Sequence, residues 1–129
     1  MNYKKAIKNI LKNKEGITLN LKGNISLNKK GFYCSITNNI IDLNKRDLKT
    51  EIKKLLLNIN KLPKLNKYYI GAWINQDNKL FLDITKRFYN QNKAIETGIE
   101  FNQEAIFNLN KLECINIKGG LLKWLTPKC

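Results

Sequence analysis

Three segments of the chain repeat their apolar residues at the three- and four-residue spacing of an amphipathic helix. The first covers residues 3–14, and the second lies between Asn44, a predicted N-cap, and Pro63. The third begins after Asn90 and contains Gly98. Because a mid-helix glycine costs about 1 kcal/mol relative to alanine, we expect Gly98 to mark a close approach to a neighbour. The faces predicted to be buried are Tyr3, Ile7, Ile10 and Leu11 in the first helix and Leu48, Ile52, Leu55, Leu56 and Ile59 in the second.

Other segments alternate apolar and polar residues with the period of two that is typical of strands. ITLNL and NISL show this alternation, FYCSI, EAIFNL and ECINI are further predicted strands, and NNIIDL either extends FYCSI or forms a strand of its own. The segment YYIGAWINQDNKLFLDIT, residues 68–85, predicts a hairpin with a two-residue turn at Gln76-Asp77, which places Trp73 opposite Leu80. Both faces of this hairpin are then largely apolar, so we expect it to be covered on each side, with Trp73 in the core.

These elements together predict an α+β fold with a mostly antiparallel sheet and about three helices. A chain of 129 residues has the usual size of one domain, so we expect a single domain over residues 1–129. Within it we distinguish a basic first half (1–67), a core hairpin and β-rich second half (68–118) and an apolar tail (119–129). No apolar run approaches the roughly 18 residues of a membrane span, and the N-terminus lacks the pattern of a signal peptide. A cytoplasmic protein without a membrane partner is therefore expected.

The net charge of +14 is concentrated in the first half of the chain. Residues 1–67 contain 16 Lys and Arg against four Asp and Glu, whereas residues 68–129 contain eight against six. The 20 Asn and 22 Lys are typical of an AT-rich genome, but such a genome also enriches Glu, of which there are six. The remaining excess of lysine favours encounter with a polyanion, whether nucleic acid, an anionic membrane or an acidic protein.

The residue types present exclude several kinds of catalytic site. The chain has no histidine, so Ser-His and Cys-His catalysis are excluded. Cys34, Cys114 and Cys129 are widely spaced and predict neither a zinc site nor a disulfide framework, and Cys34 and Cys114 are expected in the core. Asp83 is flanked by apolar residues, but no second carboxylate completes a magnesium site, so we expect it to be a paired structural residue. The chain is therefore expected to have no catalytic residue, metal or cofactor.

A pattern of spaced residues within 68–110 resembles one found in a group of small proteins. It reads G-x-W, then L-D-I, then an Ala-containing helix, then Q-x-A-I-F-x-L, here Gly71, Trp73, Leu82-Asp83-Ile84, Ala94 and Gln103 to Leu109. The pattern resembles small uncharacterised proteins of bacteriophages and mobile elements, in which the position of Asn108 is more often Asp. The resemblance implies a viral or mobile-element origin and transfers no catalytic residue.

The leading functional hypothesis is a small, basic, non-enzymatic accessory protein of a phage or mobile element that binds nucleic acid or a nucleoprotein in the host cell. Lysine makes point-charge contacts, and two arginines give little capacity to read guanine, so binding is expected to be independent of sequence and sensitive to salt. The predicted contact residues are Lys5, Lys8, Lys12, Lys29, Lys30, Lys45, Arg46, Lys49 and Lys53.

The alternative hypothesis is a protein-interaction module that docks on a host enzyme, a defence complex or the virion. It rests on the apolar tail LLKWL that follows Gly119-Gly120, because tryptophan is a common interface anchor. The predicted anchors are Leu121, Leu122 and Trp124.

Overall fold

A computed structural model describes residues 1–63 and 67–117. The helices of this part are α1 (Tyr3–Lys12), α2 (Leu48–Ile59) and α3 (Gln91–Glu100). Its strands are β1 (Ile17–Leu19), β2 (Phe32–Ser35), β3 (Asn39–Asp42), β4 (Tyr68–Ile74), β5 (Lys79–Phe88), β6 (Ala105–Asn108) and β7 (Glu113–Asn116). They form an antiparallel sheet in the order β1-β4-β5-β2-β6-β7, with β3 paired to β5, which confirms the α+β prediction. Among the described helices, none has the length and apolar character needed to cross a membrane.

Helix α2 begins three residues later than the sequence indicated. Asp47, not Asn44, is the N-cap, and its carboxylate accepts a hydrogen bond from the Thr50 N–H at 3.2 Å. The Asn44 N–H instead donates to the Asp42 carboxylate at 3.0 Å. Four of the five residues predicted to face the core are buried, namely Leu48, Ile52, Leu55 and Ile59.

The buried face of helix α1 overlaps the predicted one but is shifted toward Ala6. Ala6 and Ile10 are fully buried, whereas Leu11 is 46% exposed. Asn2 caps the helix by accepting from the Lys5 N–H, and the Asn9 side chain donates to the Gly23 carbonyl. The buried face of α1 is therefore centred on Ala6 and Ile10, and the apolar spacing did not identify Ala6.

The β4–β5 hairpin has a three-residue loop instead of the predicted two-residue turn. The Asn75 N–H donates to the Lys79 carbonyl at 3.0 Å, and Asn78 adopts a left-handed conformation with φ of 60°. The extra loop residue shifts the pairing by one, so Trp73 stacks on Phe81 with ring centroids 4.2 Å apart, not on Leu80. Trp73 and Phe81 are only half-buried, so the expectation that Trp73 lies in the core was wrong.

Contacts within the chain group into two compact units. The first contains Met1–Ser26 and Asn38–Ile84, with α1, α2, β1, β3, β4 and the beginning of β5. The second contains Leu27–Thr37 and the described residues from Thr85 onward, with β2, the end of β5, α3, β6 and β7. A single domain over the whole chain stays a prediction.

In the first unit, α1 packs against α2, β1 and β4. The residues that share its buried sheet face alternate along the strands, as a period of two requires. They are Leu19, Ile70, Ala72, Ile74, Leu80, Leu82 and Ile84. The side of the hairpin that carries Trp73 and Phe81 is thus the side away from this apolar layer.

In the second unit, α3 packs against β2 and β6 around Phe32, Cys34, Ala94 and Ile106. Asn90 caps α3 as predicted, accepting from the Lys93 N–H at 3.2 Å. A side chain at Gly98 would meet the end of the Ile117 side chain and lie 3.4 Å from Ile106 Cγ2. The expected close approach at Gly98 is confirmed.

The turn before β2 contains Gly31, whose backbone has φ of 101°. A Cβ at Gly31 would collide with the carbonyl oxygen of Phe88. Gly16 has φ of 135°, but the nearest atom to its hypothetical Cβ is Trp73 Cβ at 4.0 Å. The two glycines share an unfavourable backbone region and differ in the available space.

We expect Gly31→Ala to lower the free energy of unfolding by about 1–3 kcal/mol more than Gly16→Ala does, because only the first substitution forces backbone atoms apart. Urea unfolding of the two variants measures this difference. Equal losses in both would show that the φ angle, and not the Phe88 carbonyl, determines the need for glycine at residue 31.

Candidate functional site

Exposed lysines cover the outer sides of α1 and α2 in the first unit. On α1 they lie opposite the buried pair Ala6 and Ile10. In the described part of the chain, no carboxylate forms an ion pair with any of them. We call this set the α1–α2 lysine surface; it consists of Lys4, Lys5, Lys8, Lys12, Lys45, Lys49 and Lys53. Six of these lysines were predicted from the sequence, and Lys4 was not.

The Tyr3 ring of α1 contacts two lysines of α2. The ammonium nitrogens of Lys49 and Lys53 lie 5.8 and 5.4 Å from its ring centroid. Two lysines four residues apart on a helix repel each other by about 0.2–0.5 kcal/mol, and a cation–π contact at an exposed site is worth about 0.5–1 kcal/mol. Tyr3 therefore offsets the repulsion and holds two cations together without neutralising them.

Arg46, the remaining predicted contact near α2, is already engaged. Its guanidinium lies 3.5 Å from the carboxylate of Glu51, and the Lys54 ammonium lies 3.6 Å from the same oxygen. The Glu51 side chain is only 8% exposed, and a buried carboxylate is stable only when it is paired. Arg46 and Lys54 thus compensate a buried charge, which leaves the lysines on the Tyr3 side of α2 as the uncompensated ones.

Lys29 and Lys30, also predicted contacts, lie in the second unit in the exposed turn before β2. Arg87 holds this turn from β5. Its Nε donates to the Lys30 carbonyl at 2.9 Å, and its Nη1 donates to Asn28 Oδ1 at 3.1 Å. Its guanidinium carbon also lies 4.6 Å from the ring centroid of Tyr89. We call Asn28, Lys29, Lys30, Arg87 and Tyr89 the Arg87 cluster.

Neither Arg87 nor Tyr89 was predicted from the sequence as a binding residue. The sequence feature that could have indicated them is their spacing of two residues at the end of a predicted strand, because this spacing places both side chains on one face. The predicted basic residues therefore divide between the α1–α2 lysine surface and the Arg87 cluster. The predicted anchors Leu121, Leu122 and Trp124 lie outside the described residues.

The carboxylates of the described residues do not form a metal site. No group of three or more Cys, Asp or Glu side chains within this part of the chain is placed to hold a metal ion. Asp83 lies half-buried within β5 and interacts within the chain. Asn108 Oδ1 accepts from the N–H groups of Asn110 (2.9 Å) and Lys111 (3.3 Å) in the turn after β6. An aspartate would accept the same bonds, so a turn accounts for either residue at this position.

Two of the cysteines differ in their surroundings. Cys34 is 1% exposed, and burial raises the pKa of its thiol to about 11. Cys114, which was expected in the core, is exposed at the beginning of β7, and it is disulfide-bonded, which the cysteine spacing did not predict. Cys34 is therefore a packing residue with little nucleophilic character.

The turn that leads into α2 is organised by Asp42. Its carboxylate accepts from the Asn44 N–H at 3.0 Å and pairs with the Lys79 ammonium at 3.2 Å. The Asn44 hydrogen bond, followed by the Lys79 interaction, holds the pKa of Asp42 below its usual range. The Lys45 N–H in this turn donates to the Asp42 carbonyl at 3.0 Å, and the Lys45 side chain is exposed.

We expect alkylation of Cys34 by iodoacetamide at neutral pH to be at least about a hundredfold slower in the folded protein than in urea, because both burial and the raised pKa suppress the thiolate. Mass spectrometry of the peptide that contains Cys34 measures the rate. Similar rates in the folded and unfolded chain would contradict its burial.

Asp42 should stabilise the protein in a pH-dependent way. Its folded pKa is lowered, so its contribution is present above the unfolded value of about 3.9 and is lost as the pH falls through the folded pKa. Asp42→Asn should thus be less stable than the wild type at pH near 7, and urea midpoints should converge in acid. Asp77→Asn, which removes an exposed carboxylate of the hairpin loop, is the matched control. A gap that persists in acid would contradict this assignment.

Comparison with known proteins supplies no relative for this site. No protein-family model, no curated protein and no solved structure matches the chain. The resemblance over residues 68–110 therefore stays a resemblance, and its residues occupy a sheet, a helix and a turn. A functional hypothesis must therefore rest on the chemistry of the α1–α2 lysine surface and of the Arg87 cluster.

Proposed function

We propose that the protein is a non-enzymatic accessory protein that binds nucleic acid through the α1–α2 lysine surface without reading its sequence. The observation that carries the proposal is the placement of Lys49 and Lys53 over the Tyr3 ring. This arrangement concentrates positive charge where two helices pack, with no carboxylate of the described chain in ion-pair contact.

The chemistry of these residues favours phosphates over base edges. Each lysine that contacts a phosphate releases condensed counterions, and a row of such contacts suits a polymer with regularly spaced charges better than a single small anion. Bidentate recognition of guanine requires arginine or a well-placed lysine in a groove. Of the two arginines, Arg46 is paired with Glu51 and Arg87 is fixed by backbone and Asn28 contacts. Binding that is tolerant of sequence is the expected result.

The double variant Lys49→Gln/Lys53→Gln should weaken binding about equally for oligonucleotides of different sequence. The plot of log affinity against log salt concentration should become shallower by about 2, because roughly one phosphate contact is lost per lysine. Fluorescence anisotropy over a salt series, on duplexes and single strands of two unrelated sequences, measures both quantities.

The matched control is Lys61→Gln/Lys93→Gln, which removes the same charge from two exposed lysines outside the α1–α2 lysine surface. We expect this control to keep most of the salt dependence of the wild type. Equal losses in both double variants would assign the binding to net charge alone, and wild-type affinity that does not change with salt would refute the proposal.

A further inference from the structure

The guanidinium of Arg87 is held in one orientation on the second unit. Its Nε donates to the Lys30 carbonyl at 2.9 Å, and its Nη1 donates to Asn28 Oδ1 at 3.1 Å. The Asn28 amide is itself oriented, because its Nδ2 donates to the Tyr33 hydroxyl at 3.1 Å. A chain of hydrogen bonds thus fixes the guanidinium, and an arginine has further N–H donors beyond these two.

The charge of Arg87 is not neutralised within the described chain. Both of its hydrogen-bond acceptors are uncharged, and no carboxylate of this part forms an ion pair with it. Arg87 is half-buried, and the side chains of Lys29 and Lys30 in the same turn are exposed. A partly desolvated cation with an oriented fork of donors is a favourable place for a phosphate oxygen.

The Tyr89 ring lies beside this cation and is largely open to solvent. Its exposure is 76%, and the Arg87 guanidinium carbon is 4.6 Å from its centroid. Arg87 and Tyr89 are two residues apart, and the register of β5 with β2 places Arg87 opposite Tyr33, on the face away from Cys34 and α3. An exposed aromatic ring supported by a cation is the arrangement on which unpaired bases stack.

We propose that the Arg87 cluster is a single-strand subsite, in which a phosphate binds at Arg87 and Lys30 and an unpaired base stacks on Tyr89. The inference rests on the proposed function and deepens it by naming the class of nucleic acid. The phosphates of a duplex can bind the α1–α2 lysine surface, but its bases remain stacked inside the helix. Tyr89 should therefore add to the affinity for single strands only.

The test compares Tyr89→Ala with Tyr89→Phe by fluorescence anisotropy on labelled oligo-dT and on a duplex of the same length. Tyr89→Ala should lose at least about fivefold in affinity for the single strand and keep the duplex affinity within about twofold. Tyr89→Phe keeps the ring and should bind both like the wild type. Because Tyr89 is exposed, these variants should unfold at the wild-type temperature, which a thermal scan checks.

Arg87→Lys provides a second variant, since it keeps the charge but loses the planar fork. It should also weaken single-strand binding more than duplex binding. Unchanged single-strand affinity in Tyr89→Ala, or equal losses for single strand and duplex, overturns the subsite. In either case, binding that still depends on salt and on Lys49 and Lys53 leaves the proposed function intact. A wild-type protein that binds neither probe overturns both.

Discussion

The pairing of β5 is the constraint on which most of the structure depends. This strand lies next to β4 in the sheet, and it also pairs with β3 through its first residues and with β2 through its last residues. Its register is set by a single left-handed residue, Asn78, at the end of the preceding loop. Because side chains alternate along a strand, a shift of one residue would turn Leu80, Leu82 and Ile84 out of the apolar layer. In the second unit, the pairing of β5 with β2 places Arg87 opposite Tyr33 and Lys86 opposite Cys34.

The sequence predicted well those parts of the fold that depend on interactions between residues close together in the chain. The apolar spacing of α2, the Asn90 cap and the close approach at Gly98 each follow from interactions within a few residues or from the low helix propensity of glycine. The hairpin register was mistaken because both of its faces are rich in apolar residues, so either pairing satisfies the pattern. A left-handed asparagine in place of the more usual glycine gave no clear sign of the longer loop.

The candidate site was predictable only as a distribution of charge. Counting lysines identifies the basic first half, but it cannot show that Arg46 and Lys54 both pair with Glu51. That pairing depends on how deeply α2 buries a carboxylate. Nor can it show that Tyr3 joins Lys49 and Lys53, since this contact crosses between two helices. Arg87 was not predicted as a binding residue because it lies in the less basic half, and the partners that orient its guanidinium are almost 60 residues away. Uncompensated charge is a property of tertiary structure, whereas total charge is a property of composition.

The strand pairings also determine how the chain reaches its native state. The β4–β5 hairpin closes through neighbouring residues, but Ile17 must find Ala72 and Ser35 must find Thr85 across long intervening segments. Loop closure over such separations costs conformational entropy before the contacts are formed, and proteins dominated by such pairings fold slowly. We therefore expect the hairpin to form first and the distant strands β1, β2 and β3 to pair with it afterwards. On the same grounds, we expect the loop at Asn78 to affect the rate of folding as well as the native register.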